Sequence, residues 1–431
     1  MRTLVVGAGV SGRAASALAE SLGDDVMIFD RNPEAVADLA LQYPTAAGEW
    51  SSELLARVDR VVVSPGVPQH APEVRDAQAQ GIPVISEVEL AASVAGAPIV
   101  AVTGTNGKTT VTALIAEMLV ASGRKAVATG NIGTAFSEVA LGNWEVFVVE
   151  VSSFQLRFTE RFHPRVAVLL NIAEDHLDWH GTLQDYSAAK SMIFRNQDSS
   201  DLLIYDIDDP GATAAVAGAP SQLIPVSGVR LPTGGAGPDG GRLITPDGAV
   251  PLAEVQDPSF IVDLAAASVA AAWFETGLDP LAEVITAFEP GPHRRTLVGR
   301  WGGVDWVDDS KATNPHAALA AVAAYPSVVL IAGGRNKGLD LAPLVRAPTV
   351  KHVVAIGEAA PALAAAGGPE MVTEAESMAG AVTVAAGQAA PGDTVLLAPG
   401  CASFDMFGSY AARGDAFAEA SRALHAPERS Q

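Results

Sequence analysis

Short apolar runs recur along the chain and alternate with alanine-rich segments that have helical spacing. Runs that are apolar on both faces predict buried strands of parallel sheets, and their alternation with helices predicts repeated βαβ units. Examples of the predicted strands are residues 4–6, 26–29, 61–63, 99–102, 146–149, 166–170, 328–332, 353–356 and 394–397. The pattern therefore predicts an α/β protein with doubly wound sheets.

Two breaks in this pattern predict domain boundaries. Residues 95–98 and 289–292 are rich in Gly, Ala and Pro, and they follow the predicted helices 87–94 and 281–288. We predict a Rossmann-like domain over 1–94, a central P-loop ATPase-type domain over 95–291 and a Rossmann-like α/β domain over 292–431. The glycine-rich stretch 231–241 is predicted to be a flexible loop, since strand-like segments flank it.

Composition restricts the function classes. The formal net charge is −22, from 27 basic and 49 acidic residues, which argues against binding of nucleic acid by bulk electrostatics. The single cysteine, Cys401, permits no intrachain disulfide and no cysteine zinc site. The first residues run straight into a predicted strand, unlike a signal peptide, and the long uncharged stretches contain Pro and Gly. We expect a cytoplasmic protein with no membrane partner.

A glycine-rich turn follows the first predicted strand. Gly7, Gly9 and Gly12 open a helix, and Asp30 ends the next strand, as in a dinucleotide fingerprint. The amides of such a turn hold a diphosphate. One hypothesis is therefore a nicotinamide-dependent oxidoreductase. The alternatives are a turn that holds another diphosphate, such as a UDP group, and glycines that only permit close packing.

A second phosphate-binding motif follows the predicted strand 99–102. Residues 103–110 read TGTNGKTT and lead into a helix, so that successive amides and the helix N-terminus face phosphate oxygens. Lys108 is placed to reach the terminal phosphates and Thr109 to coordinate Mg²⁺. Val102 stands where the generic pattern has glycine. Because a dehydrogenase has no use for this loop, the motif favours an ATP-using enzyme.

Metal-binding side chains follow the next predicted strands. Glu150 ends one strand, where a parallel sheet binds ligands and where a carboxylate is placed to hold Mg²⁺. His176 and His180 have helical spacing that could suggest zinc, but the glutamate of an HExxH motif is absent; one histidine near Mg²⁺ is the favoured alternative. Lys190 lies on an apolar helix face, so its ammonium either reaches solvent or is paired or modified in the site.

Three strand ends in the last third of the chain carry polar side chains. They are the segments 308–316, 332–338 and 398–407, which are followed by Tyr410, Arg413 and Gly414. Each alone is typical of a polar turn. Together they predict a pocket for a small molecule that bears a carboxylate.

These segments resemble the Mur ligase family over all three predicted domains. The family uses the TGTNGKTT variant, which accounts for Val102. EVSSFQL at 150–156, NIAEDHLDWH at 171–180, DDSKATNPHA at 308–317 and CASFDMF at 401–407 resemble the branch that adds D-glutamate. The resemblance implies an ATP-dependent ligase that joins D-glutamate to UDP-N-acetylmuramoyl-L-alanine in peptidoglycan precursor synthesis. A sister ligase with another amino acid, or a folylpolyglutamate-type ligase, is the alternative. We expect a monomer.

The resemblance also implies roles for individual residues. It implies two Mg²⁺ ions and carbamylation of Lys190, with Thr109, Glu150, His176 and the Lys190 carbamate as metal ligands, and Lys108, Glu150, His176 and Lys190 as catalytic residues. Implied ATP contacts are Gly104, Thr105, Asn106, Gly107, Lys108, Thr109, Thr110, Asp263, Arg294 and Asp309. Implied contacts to the UDP-linked substrate are Gly9, Val10, Ser11, Asp30, Arg31, Ser64, Pro65, Gly66, Asn131, Ser152 and His176. Implied D-glutamate contacts are Lys311, Thr313, Lys337, Ser403 and Tyr410. Asp263, Tyr410 and Arg335 depart from residues common in the family.

Overall fold

The computed structural model describes residues 1–252, 257–288 and 291–426, and these form two compact units. Unit 1 comprises Met1–Ile172 and Gly181–Phe288, and unit 2 comprises Ala173–His180 and the chain from residue 289 onward. The break predicted at 289–292 lies partly outside the described residues. The predicted domain limits remain predictions.

Unit 1 begins with a parallel five-stranded sheet. Its strands are β1 (Arg2–Val6), β2 (Asp25–Asp30), β3 (Thr45–Ala47), β4 (Arg60–Val63) and β5 (Val84–Ser86), in the order β3-β2-β1-β4-β5. The helices are α1 (Val10–Ser21), α2 (Pro33–Val36), α3 (Pro72–Ala79) and α4 (Glu87–Ala92). The order reverses beside β1, which is the switch point where such sheets bind ligands.

A second parallel sheet forms the middle of unit 1. Its strands are β6 (Ile99–Thr103), β7 (Ala126–Gly130), β8 (Val146–Glu150), β9 (Val166–Leu169), β10 (Leu202–Asp206) and β11 (Gln222–Val226), in the order β11-β10-β9-β6-β8-β7. The helices between them are α5 (Lys108–Ala121), α6 (Phe136–Val139), α7 (Ser153–Leu156), α9 (Leu183–Ser191) and α10 (Pro210–Ala215), while α8 (Leu177–His180) belongs to unit 2. Val100 and Val102 pack on one face of the sheet, and Ile99 and Ala101 pack on the other. The strands are therefore apolar on both faces, as the sequence predicts.

A small antiparallel sheet follows, made of β12 (Gly237–Asp239), β13 (Arg242–Thr245) and β14 (Gly248–Pro251). The prediction of a flexible loop over 231–241 is wrong for Gly237–Asp239. A Cβ at Gly235 would lie 1.8 Å from the Pro225 carbonyl oxygen, and one at Gly237 would lie 2.1 Å from that of Arg230. These glycines permit close backbone packing rather than mobility. Helices α11 (Pro258–Ala272) and α12 (Leu278–Ala287) complete the unit.

Unit 2 contains a mostly parallel six-stranded sheet. Its strands are β15 (Thr296–Trp301), β16 (Val304–Asp308), β17 (Val328–Gly333), β18 (Val350–Ile356), β19 (Val372–Ala375) and β20 (Thr394–Leu397), in the order β15-β16-β20-β17-β18-β19. Only β15 runs antiparallel to its neighbour within the described sheet. The helices are α13 (Pro315–Ala323), α14 (Ala342–Val345), α15 (Ala360–Gly367), α16 (Met378–Gln388) and α17 (Tyr410–Leu424). The predicted α/β fold class is thus confirmed.

The remaining helical turns are short 3₁₀ helices at Leu39–Leu41, Ser52–Leu55, Met192–Phe194 and Gly357–Ala359. Within the described ranges, none of the helices combines the length and the apolar character needed to cross a bilayer.

Candidate functional site

The phosphate loop connects β6 to α5 at the carboxyl edge of the central sheet. Gly107 has φ +83° directly before α5, a left-handed conformation that favours glycine. A Cβ there would also lie 2.5 Å from Oδ1 of Asp263. Lys108 starts the helix, and its Nζ donates to the carbonyl oxygens of Gly104 and Thr105 at 2.9 Å each. The lysine is therefore held over the loop to which it belongs.

Glu150 lies at the end of β8, which is next to β6 in the sheet. Its Oε1 accepts a hydrogen bond of 2.9 Å from Nδ2 of Asn131, which follows β7. Its Oε2 is buried and has no hydrogen-bond partner among the described residues. Because burying a carboxylate oxygen without a partner is costly, this atom fits a cation ligand. The residues present are compatible with Mg²⁺ at this edge.

Lys190 approaches the same loop from α9. Its side chain is buried, its Nζ donates to the Gly104 carbonyl oxygen at 2.7 Å, and it lies 4.6 Å from the ring centre of Tyr186. The alternative in which Lys190 reaches solvent is wrong, because α9 packs this face against the loop. Lys108 and Lys190 both donate to the Gly104 carbonyl oxygen. Two cationic side chains are therefore concentrated at the loop.

Several other polar residues of unit 1 lie near this edge. The Tyr186 hydroxyl donates to Oγ1 of Thr105 at 3.2 Å. Ser152 is the N-cap of α7 and forms a capping box with Gln155. Thr109 and Thr110 lie in the first turn of α5, where the free backbone amides of a helix N-terminus suit an anion.

A cavity of about 630 Å³ lies at the carboxyl edge of the N-terminal sheet. It is lined by eight of the residues predicted to contact the UDP-linked substrate, namely Gly9, Val10, Ser11, Asp30, Arg31, Ser64, Pro65 and Gly66. The structure thus brings together residues from three strand ends. His70 and Glu73 also line the cavity, and no sequence motif pointed to them.

The Asp30 side chain holds the glycine turn through hydrogen bonds to backbone amides. Its Oδ2 accepts from the Ala8 amide at 2.7 Å, and its Oδ1 accepts from the Asn32 amide at 2.8 Å. Arg31 pairs with Glu73, with 2.8 Å between Nε and Oε1.

A Cβ at Gly12 would lie 1.8 Å from the Gly7 carbonyl oxygen, so this glycine is required for close contact between helix and strand.

The predicted amino-acid site of unit 2 lies at the carboxyl ends of β16, β20 and β17, which are neighbours in the sheet. Arg335 and Ala402 exchange two backbone hydrogen bonds of 2.9 and 3.1 Å, which join the segments that carry Lys337 and Ser403. Nζ of Lys311 lies 5.3 Å from the ring centre of Tyr410. The three predicted segments therefore meet at one edge, and Thr313 lies just after Lys311 on the first of them.

The segment Ala173–His180 belongs to this unit and places a carboxylate beside Lys337. Oδ1 of Asp175 accepts from Lys337 Nζ at 2.8 Å, and Oδ2 accepts from Asn314 Nδ2 at 3.2 Å. Burial alone would raise the pKa of Asp175, but the charges of His176 and Lys337 outweigh it and hold the pKa below its usual value. His176 has φ +53° just before α8.

Asp309 lies near Arg294 and Arg295, which precede β15. Burial raises the pKa of Asp309 to about 6, against the lowering effect of Arg295 and Arg294. The Arg295 amide donates to Oδ1 at 3.3 Å. Arg294 and Asp309, both predicted ATP contacts, are therefore close enough to interact electrostatically.

Arg413 is a structural residue whose role the sequence did not indicate. Its guanidinium is almost completely buried on α17 and donates to the Ser310 hydroxyl (3.0 Å), the Ser310 carbonyl (2.9 Å) and the Cys401 carbonyl (3.0 Å). A longer contact of 3.5 Å reaches the Gly333 carbonyl. One side chain thus joins the ends of β16, β20 and β17. Burial lowers the pKa of Arg413 to about 10.

In the part of the chain that the structure describes, no three His, Cys, Asp or Glu side chains converge as a metal site. This observation gives no support to the zinc alternative. The magnesium ligands that the resemblance implies include a threonine hydroxyl and a carbamylated lysine, and these remain predictions.

Family models match all three parts of the chain. The Mur ligase MurD-like N-terminal domain matches residues 1–86, the Mur ligase middle domain matches 102–228 and the Mur ligase glutamate ligase domain matches 293–401. The chain belongs to the Mur ligase family. Two similar curated proteins, from Frankia casuarinae and Shouchella clausii, are each named UDP-N-acetylmuramoylalanine--D-glutamate ligase. The Frankia protein is 42% identical over 97% of this chain and 93% of its own length. The Shouchella protein is 40% identical over 96% of this chain and 95% of its own length.

Solved structures agree on the fold. MurF from Acinetobacter baumannii aligns with a TM-score of 0.62 at 17% identity, over 97% of this chain and 93% of its own. MurC from Thermotoga maritima aligns with a TM-score of 0.57 at 18% identity, over 98% of this chain and 100% of its own. The resemblance predicted from the motifs is confirmed. The chain is a ligase, and the hypothesis of a nicotinamide-dependent oxidoreductase is wrong.

Proposed function

We propose that this protein uses ATP to join D-glutamate to UDP-N-acetylmuramoyl-L-alanine, in cytoplasmic synthesis of peptidoglycan precursors. The observation that carries the proposal is the phosphate loop with Lys108, Lys190 and the buried Glu150 carboxylate at one sheet edge. The names of relatives that match nearly the whole chain support the choice of substrates.

In this proposal the phosphate loop holds the ATP phosphates and activates a carboxylate. An oxygen of the alanine carboxylate attacks the γ-phosphorus, the bond to the β-phosphate oxygen breaks, and ADP leaves. Lys108, released from the carbonyl oxygens of Gly104 and Thr105, offsets the negative charge that develops on the transferred group. The product of this step is an acyl phosphate.

The second step forms the amide bond. The D-glutamate amine attacks the acyl carbon, the carbon–oxygen bond to phosphate breaks, and the amine loses a proton. Lys311, Thr313, Lys337, Ser403 and Tyr410 are the proposed D-glutamate contacts. Cationic side chains at strand ends suit the two carboxylates of this substrate. In the structure Lys337 is paired with Asp175, so a substrate carboxylate would have to exchange with, or share, that contact.

Thr109 and Glu150 are the proposed ligands of Mg²⁺, with His176 and carbamylated Lys190 as proposed ligands of a second ion. When bound, Mg²⁺ supplies positive charge that lowers the cost of phosphoryl transfer. Carbamylation adds CO₂ to the neutral Nζ of Lys190 with loss of a proton, which replaces a buried cation by an anion. A labelled-bicarbonate NMR signal that Lys190→Arg abolishes would support this modification; an unchanged signal would refute it.

The function is tested by phosphate release with a panel of amino acids. We expect release only when ATP, UDP-N-acetylmuramoyl-L-alanine and D-glutamate are all present, and not with L-glutamate, L-alanine or diaminopimelate. Lys108→Ala should reduce kcat by roughly 100-fold or more, the usual effect of removing a donor to developing charge. Turnover without ATP, or preference for another amino acid, would refute the proposal. Light scattering would test the expected monomer.

A further inference from the structure

Asn171, two residues after the end of β9, holds the phosphate loop through three hydrogen bonds. Its carbonyl oxygen accepts from the Thr105 amide at 2.9 Å. Its side-chain Oδ1 accepts from the Asn106 amide at 2.8 Å, and its Nδ2 donates to the Asn106 carbonyl oxygen at 3.3 Å. The carboxamide thus pairs with both backbone groups of one loop residue, as a neighbouring strand would.

The residue that follows Asn171 is itself anchored. The Ile172 amide donates to Oδ1 of Asp209 at 3.1 Å, and the same oxygen accepts from the Ala212 amide at 2.6 Å as the N-cap of α10. On its other side, the Ile172 carbonyl oxygen packs on Gly211, where a Cβ would lie 2.4 Å from it. Ile172 is therefore fixed at both backbone groups.

Ile172 lies at the end of the first segment of unit 1. Ile172 is the last residue of unit 1 before the segment Ala173–His180, which belongs to unit 2. The chain thus passes from Asn171, which contacts the phosphate loop, to the first residue of the unit 2 segment within two residues. A mobile Asn171 would let the loop amides change direction, and an anchored one keeps them aligned for phosphate.

We propose that Asn171 is a positioning residue of the phosphate loop and that Asp209 acts through it by fixing Ile172. Neither residue is among the predicted ATP contacts. Asn171 shapes the loop backbone, and Asp209 fixes the backbone of the residue that follows Asn171. This inference rests on the proposed use of ATP at the loop.

The test is binding of MgADP to the full-length chain, measured by calorimetry. Asn171→Ala removes two hydrogen bonds to the loop, which corresponds to roughly 5- to 100-fold in an equilibrium constant. We expect the Kd for MgADP to rise within that range. In turnover assays the KM for ATP should rise while the KM for D-glutamate stays unchanged.

Asn196→Ala is the matched control. Nδ2 of Asn196 also makes two hydrogen bonds to backbone oxygens in unit 1, those of Glu160 (2.9 Å) and Phe162 (3.0 Å), but neither belongs to the loop. We expect this variant to lose stability while its MgADP affinity stays unchanged. An equal loss of affinity in both variants, or an unchanged affinity in folded Asn171→Ala, overturns the inference.

A second pair of variants decides the case if Asn171→Ala does not fold. Asp209→Asn keeps an oxygen acceptor for the Ile172 amide, whereas Asp209→Ala removes it. The inference predicts near-wild-type MgADP binding for the first variant and several-fold weaker binding for the second. Equal binding by both overturns it. If the wild-type chain itself binds no MgADP, the proposed function fails instead.

Discussion

Replacing the buried Arg413 by methionine should destabilise unit 2 by a predictable amount. Arg413→Met removes three hydrogen bonds of 2.9 to 3.0 Å that join Ser310 and Cys401 to α17. A hydrogen bond to a charged group contributes about 1.5 kcal/mol or more, but the substitution also relieves the cost of burying the guanidinium. At about 1 kcal/mol net for each bond, the loss is about 3 kcal/mol. Methionine fills much of the same volume, so the cavity contribution should be small. For a folding unit of this size, the change corresponds to a fall in Tm of roughly 6 to 12 °C.

The assay is differential scanning calorimetry of the full-length chain, with attention to the transition of unit 2. Arg422→Met, on the same helix but exposed, is the matched control and should change the free energy of unfolding by less than about 0.5 kcal/mol. The KM for D-glutamate should also rise in Arg413→Met, because the segments bearing Lys311 and Ser403 lose their common anchor. If the two variants unfold at the same temperature, the role assigned to Arg413 is refuted.

Three further outcomes are expected. Gly12→Ala should lower the free energy of unfolding by about 3 kcal/mol or more, because its Cβ would lie 1.8 Å from the Gly7 carbonyl oxygen. Gly9→Ala is the control, since its Cβ would meet no non-neighbouring atom of the described chain within 4 Å. We expect its free energy of unfolding in urea to stay unchanged. Because the folded pKa of Asp309 is raised to about 6, above its ordinary 3.8, its contribution to stability is lost as pH rises through 6. Asp309→Asn should remove this fall and raise the free energy of unfolding by roughly 3 kcal/mol near pH 8. The same pH dependence of unfolding in the variant and in the wild type would contradict this prediction. Glu150→Gln should raise the Mg²⁺ concentration needed for phosphate release by roughly tenfold, and an unchanged magnesium titration would contradict the assignment.

Local patterns were sufficient to predict nine of the twenty described strands, all of them in the three large sheets, and the phosphate loop. Strands such as β6 and β17 are buried on both faces, so their apolar runs identify them without knowledge of their neighbours. Gly107 and Lys108 are likewise recognised by spacing, because the loop's chemistry depends on consecutive residues.

Features that depend on distant pairing could not be predicted. Asn171 lies within a segment whose resemblance was recognised, but its contact with Asn106 depends on how β9 aligns with β6. Arg413 and Ser310 are likewise far apart in sequence, and a buried guanidinium is the opposite of what arginine's charge predicts. Burial of Lys190 was one of two alternatives, and only the packing of α9 on the loop decides between them.

Because Ala173–His180 belongs to unit 2 while the residues on both sides belong to unit 1, unit 2 is discontinuous in sequence. A nascent chain exposes this segment long before the ribosome has made β15 to β20, so its packing must wait for late synthesis, whereas the sheets of unit 1 can close as they emerge. A recombinant fragment that begins near Gly291 would lack Asp175, whose carboxylate contacts Lys337 and Asn314. Such a fragment would need the segment supplied in trans as a peptide to complete its native contacts.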